Sequence, residues 1–145
     1  MEIFTVQSDD IDFNWNWIKT FLLEIDQNEW TPEFVKEQLK KAKAQLWGGH
    51  VDGNVQGIWI TTIEESGSAP WGLVWIASGT ALEDGIDLFR EHTEPWLKEQ
   101  GCRHVQLLGR KGWSKAMPDY EEVGIVLIKR FKDEQKFKPT NDYYH

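Results

Sequence analysis

The residues whose chemistry is easiest to name lie between 71 and 89. WGLVWIAS (71–78) has the continuous apolar character of a buried strand, and TALEDGIDLF (80–89) opens an amphipathic stretch with helical spacing. A strand, a turn and a helix start can hold a phosphate, because the first helical amides point outward with partial positive charge. Here the side chains suit another use. Thr80 and Glu83 have the spacing of a capping box, in which the hydroxyl accepts from the amide of residue 83 and the carboxylate from that of residue 80. Glu83, Asp84 and Asp87 also suit the positive end of the helix dipole. The expectation is a helix start whose amides are filled by the chain itself, with Gly85 inside the helix.

Other chemistry is sparse. Cys102 is the single cysteine, so there is no internal disulfide and a reducing compartment is implied; it precedes a strand and reads as a small core residue. His50, His92, His104 and His145 are too scattered for metal-ligand spacing, so no metal is expected. His50 and His104 read as partly exposed strand histidines, with acid–base work as the alternative. Arg103, Arg110, Lys111 and Lys115 gather without an acid among them, either as a solvated face or as a grip for an acidic partner.

The elements that must position these residues follow from periodicity. EIFTVQ (2–7) alternates as an opening strand, and Ser8-Asp9-Asp10 offers caps for a helix with Ile11, Trp15, Ile18, Leu22 and Ile25 on one face. Phe13, Trp17 and Phe21 form a second stripe about 120° round that helix, either covered by the next helix or left as an interface. Thr31 and Pro32 start a second helix with Val35, Leu39, Ala42 and Leu46 inward. VDGNVQGIWITTI (51–63) is predicted to be a hairpin turning on Asp52-Gly53. The run at 71–78 reads as a central strand covered on both faces. A helix from Thr80 to about Gln100 follows, kinked near Glu91 by Pro95. RHVQLLG (103–109) is a strand, KGWSKAM (111–117) a short helix exposing Trp113, and EEVGIVLIKRF (121–131) the last strand. The order β-α-α-β-β-β-α-β-α-β predicts an α/β (α+β) domain with a mixed, mostly antiparallel sheet over residues 1–131, and a polar tail at 132–145.

The bulk numbers bound the function. A chain of 145 residues suits one core, and a net charge of -8 with pI near 5.0 argues against general nucleic-acid binding. The first 34 residues hold eight acids and one lysine, so the molecule is electrically lopsided. No signal peptide and no apolar run of about 18 residues is present, which predicts a cytoplasmic protein with no membrane partner.

This order of elements, with KEQGCRHVQLLGR (98–110) after the long helix, resembles the GNAT superfamily of acyl-CoA-dependent N-acetyltransferases. GRKGW (109–113) is similar to a passage in GNAT-like proteins of tailed bacteriophages. In catalytic members the family's CoA-binding turn has Arg or Gln, then Gly, then Gly or Ala; those positions fall here at Leu82, Gly85 and Asp87, and only Gly85 matches. If the chain is active, the resemblance implies that Ile76, Ala77, Ser78 and Gly85 bind acetyl-CoA. The family's thiolate-protonating tyrosine position falls near Lys115, leaving Tyr120 and His104 as catalytic candidates. The expectation is a GNAT-fold protein with neither catalytic residues nor cofactor, a bacteriophage virion or assembly component. It would act on phage proteins or on itself through Phe13, Trp17, Phe21, Arg110, Lys111 and Trp113, and enter the phage particle. The alternative is an acetyl-CoA-dependent N-acetyltransferase acting on a cationic amine, and a further alternative is a phage-encoded inhibitor of a host protein.

Overall fold

The computed structural model describes residues 1–27, 29–80, 82–109 and 113–131. β1 (Glu2–Val6) leads through a 3₁₀ turn into α1 (Ile11–Leu23), whose spacing buries Ile11, Trp15, Ile18 and Leu22. The acids before α1 make no capping hydrogen bond to it. α2 (Pro32–Lys40) is capped as expected, the Thr31 hydroxyl accepting from the Phe34 amide at 3.1 Å. It ends before Ala42, contrary to the apolar spacing. Ala42 turns to φ 56°, and from Ala44 the chain alternates, so Leu46 and Trp47 are buried on opposite faces of β2 (Ala44–Val51). Asp52 and Gly53, at φ 51° and 83°, make the expected tight turn into β3 (Asn54–Glu64).

β4 (Trp71–Gly79) and β5 (Val105–Leu107) complete a sheet of order β1-β2-β3-β4-β5, antiparallel except between β4 and β5. The fold is therefore the mixed α+β architecture expected. Burial is deepest in the middle of β2 and β3, where Leu46–Gly49 and Ile58–Thr61 are all buried, whereas β4 is half-buried and Ala77 is open. The reason is that β5 accompanies β4 over three residues only.

Between those strands run α3 (Leu82–Leu88), a π turn (Phe89–Thr93) and α4 (Glu94–Glu99). The π turn contains Glu91, the residue whose carbonyl Pro95 cannot pair, so the expected kink is taken up as one wide turn. α1 and α2 cover one face of the sheet, against Leu46, Ile58, Ile60 and Ile76. On the other face Trp47 and Trp59 pack with Ile86, Leu88 and Phe89. Each of these indoles donates to a buried threonine, Trp47 to Thr61 at 3.0 Å and Trp59 to Thr93 at 2.9 Å, which lets a polar N–H enter the core. Two of the chain's nine tryptophans are placed in this way. In the second stripe of α1, Trp17 meets Phe4 of β1 edge-on at 5.9 Å and Phe21 at 6.2 Å, and Phe13 is exposed.

α5 (Trp113–Ala116) follows β5, and Trp113 is half-buried against the Trp47 cluster rather than exposed. Glu121–Phe131, expected as the last strand, forms none. A three-residue β5 is too short a template for eleven residues of ladder. Arg110, Lys111 and the tail at 132–145 lie outside the described residues. No described helix is long and apolar enough to cross a membrane.

Candidate functional site

β4 and β5 pair from Gly72 to Val74 and then part. The cause is local: Ile60 faces Ile76 and Thr61 faces Val74, so Trp75 is an extra residue in β4. Such a bulge bends a strand and increases its twist. Trp75 is held by edge-on packing on Phe34 of α2 at 6.1 Å. Beyond it, Trp75–Gly79 has no β5 partner, and a cleft of about 660 Å³ opens between the strands. Ala77, Ser78 and Gly79 form one wall; Leu107, Trp113 and Met117 form the other. Gly85, Ile86 and Phe89 lie at the helix side, and Glu24 and Ile25 close the α1 side.

Two glycines shape the rim. A Cβ on Gly79 would lie 2.4 Å from the Gly57 Cα, and Gly79 sits at φ 130°, where a side chain is strained. This close approach lets the Gln56 carbonyl take both the Thr80 amide, at 2.9 Å, and the Thr80 hydroxyl, at 3.4 Å. The reciprocal capping box expected at residues 80–83 is therefore not made, because the Thr80 amide that Glu83 would have accepted from is already used; the hydroxyl donates to a neighbouring strand. Glu83, Asp84 and Asp87 are exposed and do not line the cleft. Gly85 does line it, and a Cβ there would meet nothing within 4 Å.

Of the other candidates, Ser78 lines the cleft but its hydroxyl donates to the Phe21 carbonyl at 2.8 Å, and Ile76 is buried under α1 and α2. Trp113 lines the cleft. Tyr120 does not: its hydroxyl donates to Glu94, and burial, followed by the Glu94 carboxylate, pushes the phenol well above its ordinary range. The neighbouring Arg90 grips Asp119, tying the π turn to the chain after α5. His104 stacks on Trp71 at 5.7 Å and pairs with Gln106, away from the cleft. His50 takes the Gly53 amide on Nδ1 at 3.0 Å, at the far hairpin. Burial raises the Cys102 thiol above its ordinary pKa. Among the described residues no group of three His, Cys, Asp or Glu could hold a metal.

Glu24 brings the only ionisable side chain among the described residues lining the cleft. Glu24 is not among the candidates that the sequence offered, which were Tyr120 and His104. The available signal was its place at the end of α1, where a helix packed on β4 must release its chain.

The cleft has features that the acyl-pantetheine arm of an acyl-CoA would use: a strand edge unpaired among the described residues, a glycine-lined rim and apolar walls. The phosphate end is less favourable, since three carboxylates stand in the first turns of α3.

No family model and no curated protein matches the sequence. Solved structures do match the fold. An aminoglycoside acetyltransferase from an uncultured soil metagenomic sample, in complex with sisomicin, has a TM-score of 0.67 at 16% identity, over 90% of this chain and 96% of that one. A GCN5-related N-acetyltransferase from Ralstonia eutropha gives 0.66 at 13% identity, over 90% and 97%. The aminoglycoside antibiotic 6'-N-acetyltransferase of Acinetobacter baumannii gives 0.63 at 14% identity, over 90% and 97%. The chain has the GNAT fold.

Proposed function

We propose that the chain is an N-acetyltransferase acting on a cationic amine, with the β4–β5 cleft as its active site. The observation that carries this reading is the strand edge Trp75–Gly79, left unpaired among the described residues beyond the Trp75 bulge and facing a cavity that Gly85 also lines. Acetyl-CoA, when bound, would supply an acetyl thioester whose C–S bond breaks as the C–N bond forms, the leaving sulfur departing as the thiol with the second proton lost from nitrogen. Backbone groups of Ala77–Gly79 would hold the arm, and the space at Gly85 would admit the phosphates. Glu24, at the α1 side, would hold the ammonium of the substrate and take its proton, which frees the nitrogen lone pair for attack. Ile86, Phe89 and Trp113 would exclude water. Tyr120, committed to Glu94, takes no part. A net charge of -8 suits a cationic substrate.

A second reading, a non-catalytic protein acting through its surface in a phage particle or on a host protein, is favoured by the carboxylates at the start of α3. The two readings part on one titration. Acetyl-CoA at tenfold its Kd should stabilise the fold by about 1.4 kcal/mol, read as a rise in Tm of a few degrees, and acetyl transfer to polyamine-like acceptors should follow. Glu24→Gln should keep acetyl-CoA binding while lowering kcat by about 10²-fold or more. Absence of any thermal shift at millimolar acetyl-CoA would leave the second reading.

A further inference from the structure

A second cavity, of about 380 Å³, lies outside the β4–β5 cleft, where the second stripe of α1 crosses β1, the edge strand farthest from β5. That volume is within the range of small-molecule sites. Phe4 and Val55 come from the sheet, Trp17 and Asn14 from α1, and His50 and Gly53 from the β2–β3 hairpin. Phe4, Trp17 and His50 are half-buried. Their rings are inclined rather than stacked: Phe4 meets Trp17 at 5.9 Å and 68°, and His50 at 5.9 Å and 51°. Inclined rings make a corner that offers π surface from more than one direction.

Each ring is set in place by the protein itself. Gly48 makes room for Phe4, since a Cβ there would lie 2.6 Å from Phe4 Cε1. The Asn14 amide donates to the Asp10 carbonyl at 2.8 Å, and its oxygen accepts the Trp17 indole N–H at 2.9 Å, which fixes the indole. His50 Nδ1 accepts the Gly53 amide at 3.0 Å, so the ring proton lies on Nε2, 3.6 Å from the Glu2 carboxylate. A corner built before any ligand arrives saves the cost of ordering it on binding.

Charge selects the occupant. Asp10 also lines the cavity, and its carboxylate makes no capping hydrogen bond to α1. Among the described residues no Lys or Arg lines it, and Glu2 stands beside His50, so anions are disfavoured. Metal ions are disfavoured too, because no three His, Cys, Asp or Glu among the described residues gather to hold one. A cation whose charge is spread over methyl groups suits both halves of the cavity: it packs on aromatic rings, and both the rings and the carboxylate attract it.

We propose that this cavity binds an organic cation with a methylated ammonium head, with Phe4, Trp17 and His50 as its aromatic walls and Asp10 as its counter-charge. A free small molecule and a methylated lysine side chain share that head. The site is separate from the β4–β5 cleft, and the proposal is independent of the catalytic reading.

Titrating choline into the isotope-labelled full chain, with backbone and indole N–H signals followed by NMR, tests it. The Trp17 indole, identified by its loss in Trp17→Phe, and the Gly53 amide should shift saturably at millimolar choline, while the amides of Ala77–Gly79 stay in place. Dimethylbutanol, the neutral carbon analogue of choline, should bind about tenfold more weakly or worse, since it fills the same space without the charge. Asp10→Asn should weaken choline binding severalfold with Tm unchanged, the side chain being exposed and outside the caps of α1. Phe4→Leu should weaken it further, and Asp10→Asn keeps the test decisive if that variant loses the fold. A trimethyllysine amide separates the two sources: tighter binding than choline assigns the head to a methylated side chain, and weaker binding to a free small molecule. No saturable shift with either cation, equal binding of dimethylbutanol, shifts confined to the β4–β5 cleft, or an affinity indifferent to Asp10→Asn would each overturn the proposal.

Discussion

Tyr120 shows how a residue of the right type can be removed from chemistry by its surroundings. Its phenol is half-buried and donates to Glu94, so the proton is held more tightly in the folded protein than in the unfolded chain. A group with a raised folded pKa contributes stability below its unfolded value, near 10 for tyrosine, and loses that contribution as pH rises through the folded value. The Tm of the wild type should therefore fall above about pH 10. Tyr120→Phe should start lower, having lost the hydrogen bond, and should fall less steeply over the same alkaline range. If it retains acetyl transfer within a few-fold while Glu24→Gln does not, Tyr120 is the structural residue and Glu24 the catalytic one. The opposite ranking would reverse the assignment. Tyrosine and histidine could be nominated from sequence because their chemistry belongs to the side chain. Their exclusion came from Glu94 and Trp71, partners 26 and 33 positions away in the chain, which periodicity does not pair.

Among the elements, those with local causes were legible. The Thr31 cap, the Asp52-Gly53 turn, the inner face of α1 and the disturbance before Pro95 each follow from a few adjacent residues. Two elements were misread because their cause is distant. The helix expected through Leu46 yields at Ala42 to strand pairing with β1 and β3, and the strand expected at Glu121–Phe131 lacks a template of its own length. The start of α3 belongs with these: the Thr80–Glu83 spacing was right for a capping box, but the Gln56 carbonyl on β3 took both donors. That junction also depends on Gly79. Gly79→Ala would add a Cβ 2.4 Å from Gly57 at a positive φ, and should destabilise by more than about 1 kcal/mol, measured by urea denaturation, while distorting the cleft enough to lose the acetyl-CoA thermal shift. The carboxylates of α3 make a separate prediction. Asp84→Asn with Asp87→Asn removes two exposed negative charges from the first turns without touching the cleft wall. Acetyl-CoA should bind severalfold more tightly to this variant by calorimetry at low salt, with the advantage shrinking as salt screens it; equal affinity at low salt would mean that the phosphates lie elsewhere.

At the scale of the whole molecule, the sheet order, the two covered faces and the parting of β4 from β5 form one device. Helices on both faces hold the sheet, and the bulge at Trp75 opens it beside α3. The architecture was readable in the sequence as an order of elements, because a meander followed by a crossover leaves few ways to complete a sheet. The cleft was not, since one extra residue in an apolar strand leaves no compositional trace. Charge, by contrast, is fully legible, and it bears on substrate encounter. With a net -8 and eight of the acids within the first 34 residues, which include Glu24 at the cleft, the field should draw in cations. For a polycationic amine, kcat/KM should fall as sodium chloride is raised from about 20 to 300 mM, because the Debye length shrinks from roughly 20 Å to under 10 Å. A neutral hydroxylamine or aniline acceptor of similar size should show little change over that range, so the ratio of the two rates isolates steering from salt effects on acetyl-CoA. Parallel salt curves for both acceptors would show that the acidic half of the molecule has no part in substrate capture, and would shift attention to its pairing with Lys36 and Lys40 through Asp12, where part of that charge is already answered within the fold.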